Sequence, residues 1–439
     1  MKIAVQTQKG VTLIKIGKRT AAFVLAALFP FGGLFACGKI PPRGELTATA
    51  TPPPQTAAPD TPSPTSWLTP YTPRAYTADD LFGTAGSLSW RIDVDSKTLY
   101  ISGQGEMPDY DEERPPWWGF GVAAGTGYGD DPNLYRNLVV EEGVTKIGAY
   151  AFVGNWYDSV QLPDSLTEIG EGGFRACGAK VFEIPKNVQK IGDMAFFWNW
   201  ITAFAVSEDS EFFCAADGVL YDKAVTRLYA YPTQRAGSRY ELPSTVTTVS
   251  AYAFTAWDLQ TDLFVIVLPE GLTTLEASAL DHGYALAKAE LPQSLSAVGD
   301  RAFAGLYTNV LILPDGIESL PHAVFSGSGV EQIVLPTTVI ELNAGTFFGA
   351  HSMKQVYFLG KPPKLLPLDD EKINPFFSEK NGDLLVLYYP RSLSAFWSPN
   401  GETEWNGFKI LPCDELPEFS LKHAETLDDW VDEIWAVQP

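Results

Sequence analysis

Apolar positions along this chain fall into one arrangement that keeps returning. The dipeptide Leu-Pro or Ile-Pro recurs at Pro163, Pro185, Pro243, Pro269, Pro292, Pro314 and Pro336, at intervals of 22, 58, 26, 23, 22 and 22 residues. Ahead of it the chain reads apolar-x-x-apolar-x-apolar, as in Val330, Ile333 and Leu335 or Leu263, Ile266 and Leu268. The last three of these positions alternate, which predicts a short strand with one buried face. Behind it a second apolar set follows at fixed offsets: Leu166, Ile169-Gly170 and Phe174, then Val188, Ile191-Gly192 and Ala195-Phe196. The set returns as Leu295, Val298-Gly299 and Ala302-Phe303, and as Val339, Leu342 and Phe347. Val140-Glu141, 22 residues before Pro163, opens a matching earlier unit.

One unit supplies a strand and a turn, too little apolar surface to close a core. Stacked units bury Leu on Leu and Phe on Phe, each large side chain contributing roughly 1.5–3 kcal/mol when covered. The period therefore predicts a mainly β solenoid. Pro sits just past each strand, where its missing N–H leaves no ladder bond unmade. The Ile-Gly step predicts a tight bend, since Gly accepts backbone angles that other residues avoid.

The full unit, Leu-Pro-x-x-Leu-x-x-Ile-Gly-x-x-Ala-Phe-x-x-Cys, resembles the BspA-type leucine-rich repeats of bacterial surface proteins. Cys177 stands at the repeat's own Cys position, where other units carry Asn155, Trp257 or Ala350. The resemblance implies a right-handed leucine-rich-repeat solenoid of about nine repeats over residues 135–360. The 58-residue interval holds Phe212, Phe213, Asp217 to Tyr221 and Leu228 to Pro232, similar to the hairpin insert common in such arrays, here 207–239. Leu88-Ser89-Trp90, Leu99 to Met107 and Pro116-Trp117-Trp118 resemble the family's opening β module, 79–134. Val356 to Phe358, Tyr388-Tyr389-Pro390 and Trp405 to Ile410 resemble its closing stretch, which implies a β cap over 361–413. Leu280 in place of Phe, and Ser250 and Glu276 in place of Gly, are departures expected to weaken single turns.

The ends of the chain read differently. Residues 1–20 are basic and 21–36 apolar, and sixteen residues of helix span roughly 24 Å against the bilayer's ~30 Å. A basic region, a short apolar region and small residues describe an export signal, 1–36. Leu34-Phe35-Ala36-Cys37-Gly38 resembles a bacterial lipobox, which implies a lipid anchor at Cys37; the alternative is an uncleaved membrane helix with an incidental Cys. Residues 37–78 carry ten prolines between Pro41 and Pro73, among Thr, Ala and Ser. Such a segment is an extended tether, at roughly 3.1 Å per residue. The last segment, 414–439, has eight carboxylates and one Lys, with an amphipathic set at Leu427, Trp430, Val431 and Ile434.

Charge narrows the partners. Against 31 Lys+Arg stand 53 Asp+Glu, a net −22, and without residues 1–36 the net becomes −27. Nucleic acid is excluded as an expected partner, because binding it relies on Lys and Arg displacing counterions. Four His and four Cys, scattered without ligand spacing, give no cofactor or metal site. Gly127 to Asp131 reads as a loop, Asp93-x-Asp95 as a hairpin turn between 90–94 and 99–102, and Asp109 with Asp111 to Glu113 as either a solvated loop or a weak cation site. Cys177 is either a small buried residue or the partner of Cys214.

No nucleophile elbow or Ser/His/Asp set occurs, and the inward repeat positions are apolar, so the expectation is a binding protein and not an enzyme. Outward strand positions run from Ser159/Gln161 and Val181/Glu183 to Val265/Val267, Val310/Ile312, Gln332/Val334 and Gln355/Tyr357. An exposed apolar patch over the later strands is one expected contact surface. Rings after the Phe positions, Trp156, Tyr157, Trp198, Trp200, Trp257 and Tyr307, are another. The expected function is adhesion, by a monomeric surface-anchored protein, to a host matrix protein, a cell or a glycan. The alternative is a structural or ligand-capture component of the envelope.

Overall fold

Each coil of the solenoid carries two strands. The structure, a computed structural model, describes residues 2–7, 10–15, 77–110, 114–121, 134–255, 263–281, 284–343, 345–366 and 385–419. Residues 1–72 and 430–439 form one unit, of which Lys2–Thr7 paired antiparallel with Gly10–Lys15 is described. The other unit, Pro73–Asp429, is a β-solenoid of about eleven turns. Cys37, the tether, Gly127 to Asp131, Trp257 and the tail beyond 419 lie outside the described residues.

The longer strand of each coil ends at the Leu-Pro step, as the alternation predicts. Val310–Ile312, Gln332–Leu335 and Gln355–Phe358 run parallel and in register, so that Leu311 faces Ile333 and Ile333 faces Val356. Pro has a positive role besides a missing donor. Its carbonyl accepts the amide three residues on, Leu166 N–H to Pro163 O at 3.1 Å and Leu295 to Pro292 at 3.0 Å, and this turn drives Leu166 and Leu295 inward.

A second, shorter strand lies at the Ile-Gly step: Val144–Ile147, Glu168–Ile169 and Lys190–Ile191 form a parallel ladder of their own. The reason for Gly here differs from the expected bend. Gly170, Gly192 and Gly299 have no left-handed backbone; a Cβ on them would sit 2.8, 2.6 and 2.5 Å from backbone nitrogen of the preceding coil. They set the spacing between coils. The left-handed residue comes two places later, at Tyr150, Met194, Tyr252, Ser278, Arg301 and Ala323, with φ of 52–60°. An L side chain in that region costs roughly 1–2 kcal/mol, a strain the stacking of coils must overcome in each of these turns, and one that Gly172 and Gly345 avoid at the same position.

Phe side chains stack down the interior, Phe152 on Phe174 at 5.2 Å and Phe303 on Phe325 at 5.7 Å between ring centroids. Where Leu280 breaks the row, Tyr284 takes over: it is fully buried, its ring 6.1 Å from Phe254 and its hydroxyl on the Phe254 carbonyl. Both ends are closed by a tryptophan. Trp117 stacks on Phe152 at 5.6 Å and donates its indole N–H to Ala151 O at 2.9 Å. Trp397 stacks on Tyr389 at 5.6 Å and donates to Gly360 O at 3.0 Å.

The end segments join the same ladder, which accounts for more turns than the nine repeats expected. Thr98–Gly103 pairs parallel with Asn137–Val140, and Val386–Pro390 pairs parallel with both Gln355–Phe358 and Phe408–Cys413. Leu88–Asp93 and Thr98–Gly103 form the hairpin predicted around Asp93, whose carboxylate accepts the amides of Asp95 and Ser96 at 3.0 and 3.2 Å.

The insert is more than a surface hairpin. Phe213–Ala216, Val219–Asp222 and Arg227–Ala230 form an antiparallel sheet whose last strand pairs parallel with Thr248–Val249 and so enters the solenoid's ladder. Phe213, Leu220 and Ala230 pack on the amino-terminal part of the core, while Val219, Tyr221, Leu228 and Tyr231 pack on the carboxy-terminal part. The buried interior is therefore divided by a wall.

Candidate binding cleft at the insert

The expected apolar patch on the outward strand face is absent. Val265, Val310, Val334 and Tyr357 are buried, and Val267 and Ile312 are half-buried. The register explains it. Ile312, Val334, Tyr357 and Tyr388 stand in one row across adjacent strands, each flanked by bulky neighbours one strand spacing away. Tyr388 stacks on Tyr357 at 4.7 Å, and Phe419, from beyond the cap, meets Tyr357 edge-on at 5.5 Å. The earlier outward positions stay open: Val181, with Ala203 beside it, is 53% exposed.

The ring positions divide as well. Trp200 is buried in the strand Trp200–Val206, because it precedes an inward Ile201 and not a loop. Tyr157 is buried too, stacked on Tyr135 with ring centroids 6.4 Å apart. Trp156 is half-buried and lies over Gly178, where a Cβ would come within 2.3 Å of the indole. Tyr307 is half-buried against Phe264, with ring centroids 6.4 Å apart. Trp198 has another setting. It lies left-handed at φ 56°, where the corresponding residue of other coils is Gly154, Ala176, Gly305, Gly327 or Gly349. Its ring stacks on Phe197, a residue of a cleft, at 4.4 Å.

The cleft, about 180 Å³, opens where the insert interrupts the repeat. The strand Arg227–Ala230 continues the short ladder, but the chain then leaves through Tyr231-Pro232 without making the turn that follows every Ile-Gly step. One turn of the stack is missing. Residues Gly192 to Phe197 form one wall, Ser250 to Tyr252 the opposite one, and Arg227 and Tyr229 the floor. Phe197 and Tyr252 meet edge-to-face at 5.1 Å.

The departures from the Gly consensus adjoin this cleft. Arg227 donates to Ser250 Oγ at 3.2 Å and to Glu276 Oε1 at 2.7 Å, while Glu276 Oε2 accepts the Ala251 amide at 3.1 Å. Ser250 and Glu276 thus replace spacing glycines where a polar network, rather than close backbone contact, joins the coils. Arg175 lies over Phe197 and Trp198, 5.0 and 5.1 Å from the ring centroids. Among the described residues no carboxylate pairs with it. Burial lowers its pKa, and burial raises that of the Tyr252 phenol.

Backbone accounting shows what the missing turn leaves behind. In other coils the left-handed residue and the Phe both donate to the following coil: Tyr150 N–H to Glu171 O, Phe152 to Gly173 O, Gly172 to Asp193 O and Phe174 to Ala195 O, all at 2.9–3.0 Å. Past the cleft, Arg301 N–H bonds His322 O at 3.1 Å and Phe303 bonds Val324 O at 3.0 Å. The equivalent amides of Met194 and Phe196, both in the cleft wall, find no acceptor among the described residues. Sequence reasoning missed Met194, Phe196 and Tyr252; the 58-residue interval and the neighbouring Ser250 and Glu276 were the signal. Two other groups serve structure. Asp109 accepts the Ala149 amide at 2.7 Å and pairs with Lys146, and Cys177 and Cys214 are both free thiols, Cys177 fully buried.

Six copies of the model of the BspA type leucine rich repeat region match this chain, at residues 133–213 and 229–354. Among solved structures, a leucine-rich repeat protein from Eubacterium ventriosum is 21% identical with a TM-score of 0.45, over 65% of this chain and 84% of that one. The pneumococcal vaccine antigen PcpA is 15% identical with a TM-score of 0.49, over 75% of this chain and 98% of that one. A leucine rich cell surface protein from Faecalibacterium prausnitzii is 16% identical with a TM-score of 0.36, over 68% and 98%. No curated protein matches the sequence.

Proposed function

The repeat solenoid of this chain belongs to the BspA-type leucine-rich-repeat family, and from that premise we propose that the protein is a bacterial surface lipoprotein that adheres non-covalently to an extracellular macromolecule. The reading assigns acylation to Cys37 and reach to the Pro/Thr segment 37–78. It assigns contact to the solenoid, working as a monomer against a host matrix protein, a cell surface or a glycan. One observation carries it: a ladder of in-register parallel strands, plugged at both ends by Trp117 and Trp397, makes a rigid extended wall. Repeat scaffolds of this kind bind through area and require no catalytic group.

The test is attachment of the purified chain to immobilised matrix proteins, glycans and host cells, expected to saturate with concentration. Attachment indistinguishable from that of albumin would overturn the adhesive reading. In cells, Cys37→Ala is expected to leave an unprocessed precursor or release the protein to the medium. Normal processing with full membrane retention would remove the lipid anchor.

A further inference from the structure

We propose that the cleft between Gly192–Phe197 and Ser250–Tyr252 is a docking slot for a short extended peptide segment of a protein partner, whose backbone takes the place of the missing turn. The proposal deepens the adhesive reading by naming one place on the surface and the chemistry it recognises.

The donors come first. An unpaired amide in a cleft wall is a lost hydrogen bond waiting for an acceptor, and buried main-chain groups are almost always paired. In the rest of the stack the acceptors for this row are peptide carbonyls of the next coil, presented two residues apart. Met194 and Phe196 offer the same two donors at the same spacing, with the next coil withdrawn. A partner supplying alternate carbonyls therefore meets a template already shaped for polypeptide, as in strand addition at a sheet edge. The far wall is complementary. The Ala251 carbonyl stands where Glu171 O and Asp193 O accept in the regular coils, and no backbone donor among the described residues reaches it. Donors on one wall and an acceptor on the other suit a peptide unit, which carries both.

Side chains bound the space. Asp193 stands in one wall and Arg227 in the floor, so the lining carries both signs of charge and selects for neither. Arg227 is committed to Glu276. The rings of Phe197, Tyr229 and Tyr252 supply apolar walls around the slot. At about 180 Å³ the space is below the roughly 300–1,000 Å³ of pockets for drug-sized ligands. It suits a few backbone atoms and one side chain.

Hydrogen exchange on the whole chain reads the donors directly. In the free protein the amides of Met194 and Phe196 are expected to exchange at least 100-fold faster than those of Gly172 and Phe174. A displayed library of random heptapeptides, panned against the wild type and against Ala251→Trp, which fills the slot, supplies the probe. Peptides enriched only by the wild type should protect Met194 and Phe196. Equal enrichment by Ala251→Trp, slow exchange of the two amides in the free protein, or protection by methyl β-D-glucuronide and by no peptide would each overturn the proposal. Attachment to matrix or cells that persists in Ala251→Trp would exclude the slot as the adhesive contact and leave adhesion standing. Attachment absent from the wild type would end the adhesive reading without altering the peptide result.

Discussion

Replacing Gly299 by Ala tests whether glycine in the repeat sets coil spacing or backbone angle. The added Cβ would lie 2.5 Å from Ala277 N and 2.7 Å from the Glu276 carbonyl carbon, and ordinary contact begins near 3.4 Å. Both atoms are backbone, so no side chain can swing away; the coils must part and stretch the bond from Gly299 N–H to Leu275 O, now 2.8 Å. Overpacking of this kind costs about 1–3 kcal/mol, and a backbone clash belongs in the upper half of that range. Gly327 is the control. Its φ is 64° and nothing lies within 4 Å of a Cβ there. Gly327→Ala incurs only left-handed strain, about 1–2 kcal/mol, offset by roughly 0.4–1 kcal/mol from a less flexible unfolded chain. At about 2 °C per kcal/mol for a cooperative unit of this size, Gly299→Ala should lower the melting temperature by roughly 4–6 °C and Gly327→Ala by roughly 3 °C or less. Thermal melts followed by circular dichroism at 218 nm (a wavelength chosen for β structure) decide it. Equal losses, or a larger loss at Gly327, would refute the distinction between spacing and conformational glycines.

The remaining predictions concern the ends and the buried groups. The Asp109 carboxyl is held below the usual carboxylate range, chiefly by the Ala149 amide and then by Lys146, so its contribution is present at neutral pH and lost as pH falls through its folded value. Asp109→Asn should therefore melt lower than wild type at pH 7, with the gap closing toward pH 3; a gap constant across that range would contradict the charge's role. Trp397→Phe keeps an aromatic ring, though a smaller one, but leaves Gly360 O without its donor, which should cost about 1–3 kcal/mol in urea unfolding. A stability unchanged within error would mean that the cap works by ring packing alone. Burial pushes the Cys177 thiol well up, so a maleimide should label it only after denaturation. Labelling in the native state would contradict its place in the core.

Period and composition determined much of this protein unaided. The Leu-Pro recurrence named the long strand, the turn behind it and the inward Leu, Ile and Phe, because a fixed interval leaves each apolar residue beside its own equivalent. Asp93 marked its hairpin for the same local reason: a short carboxylate beside Ser96 and Asp95 can reach only their amides. Spacing said nothing of how closely adjacent coils approach, so Gly170 and Gly299 read as bends when they are spacers. Nor did it show that Val310 and Val334 stand among bulky neighbours while Val181 faces Ala203, since exposure depends on what lies one coil away, 22 residues distant in sequence. The cleft was least legible of all. The 58-residue interval announced an insert, but only the stacked coils reveal that its last strand keeps the ladder and omits the turn. Met194 and Phe196 are ordinary residues in sequence, and their amides stand out because the coil that would have received them is not there.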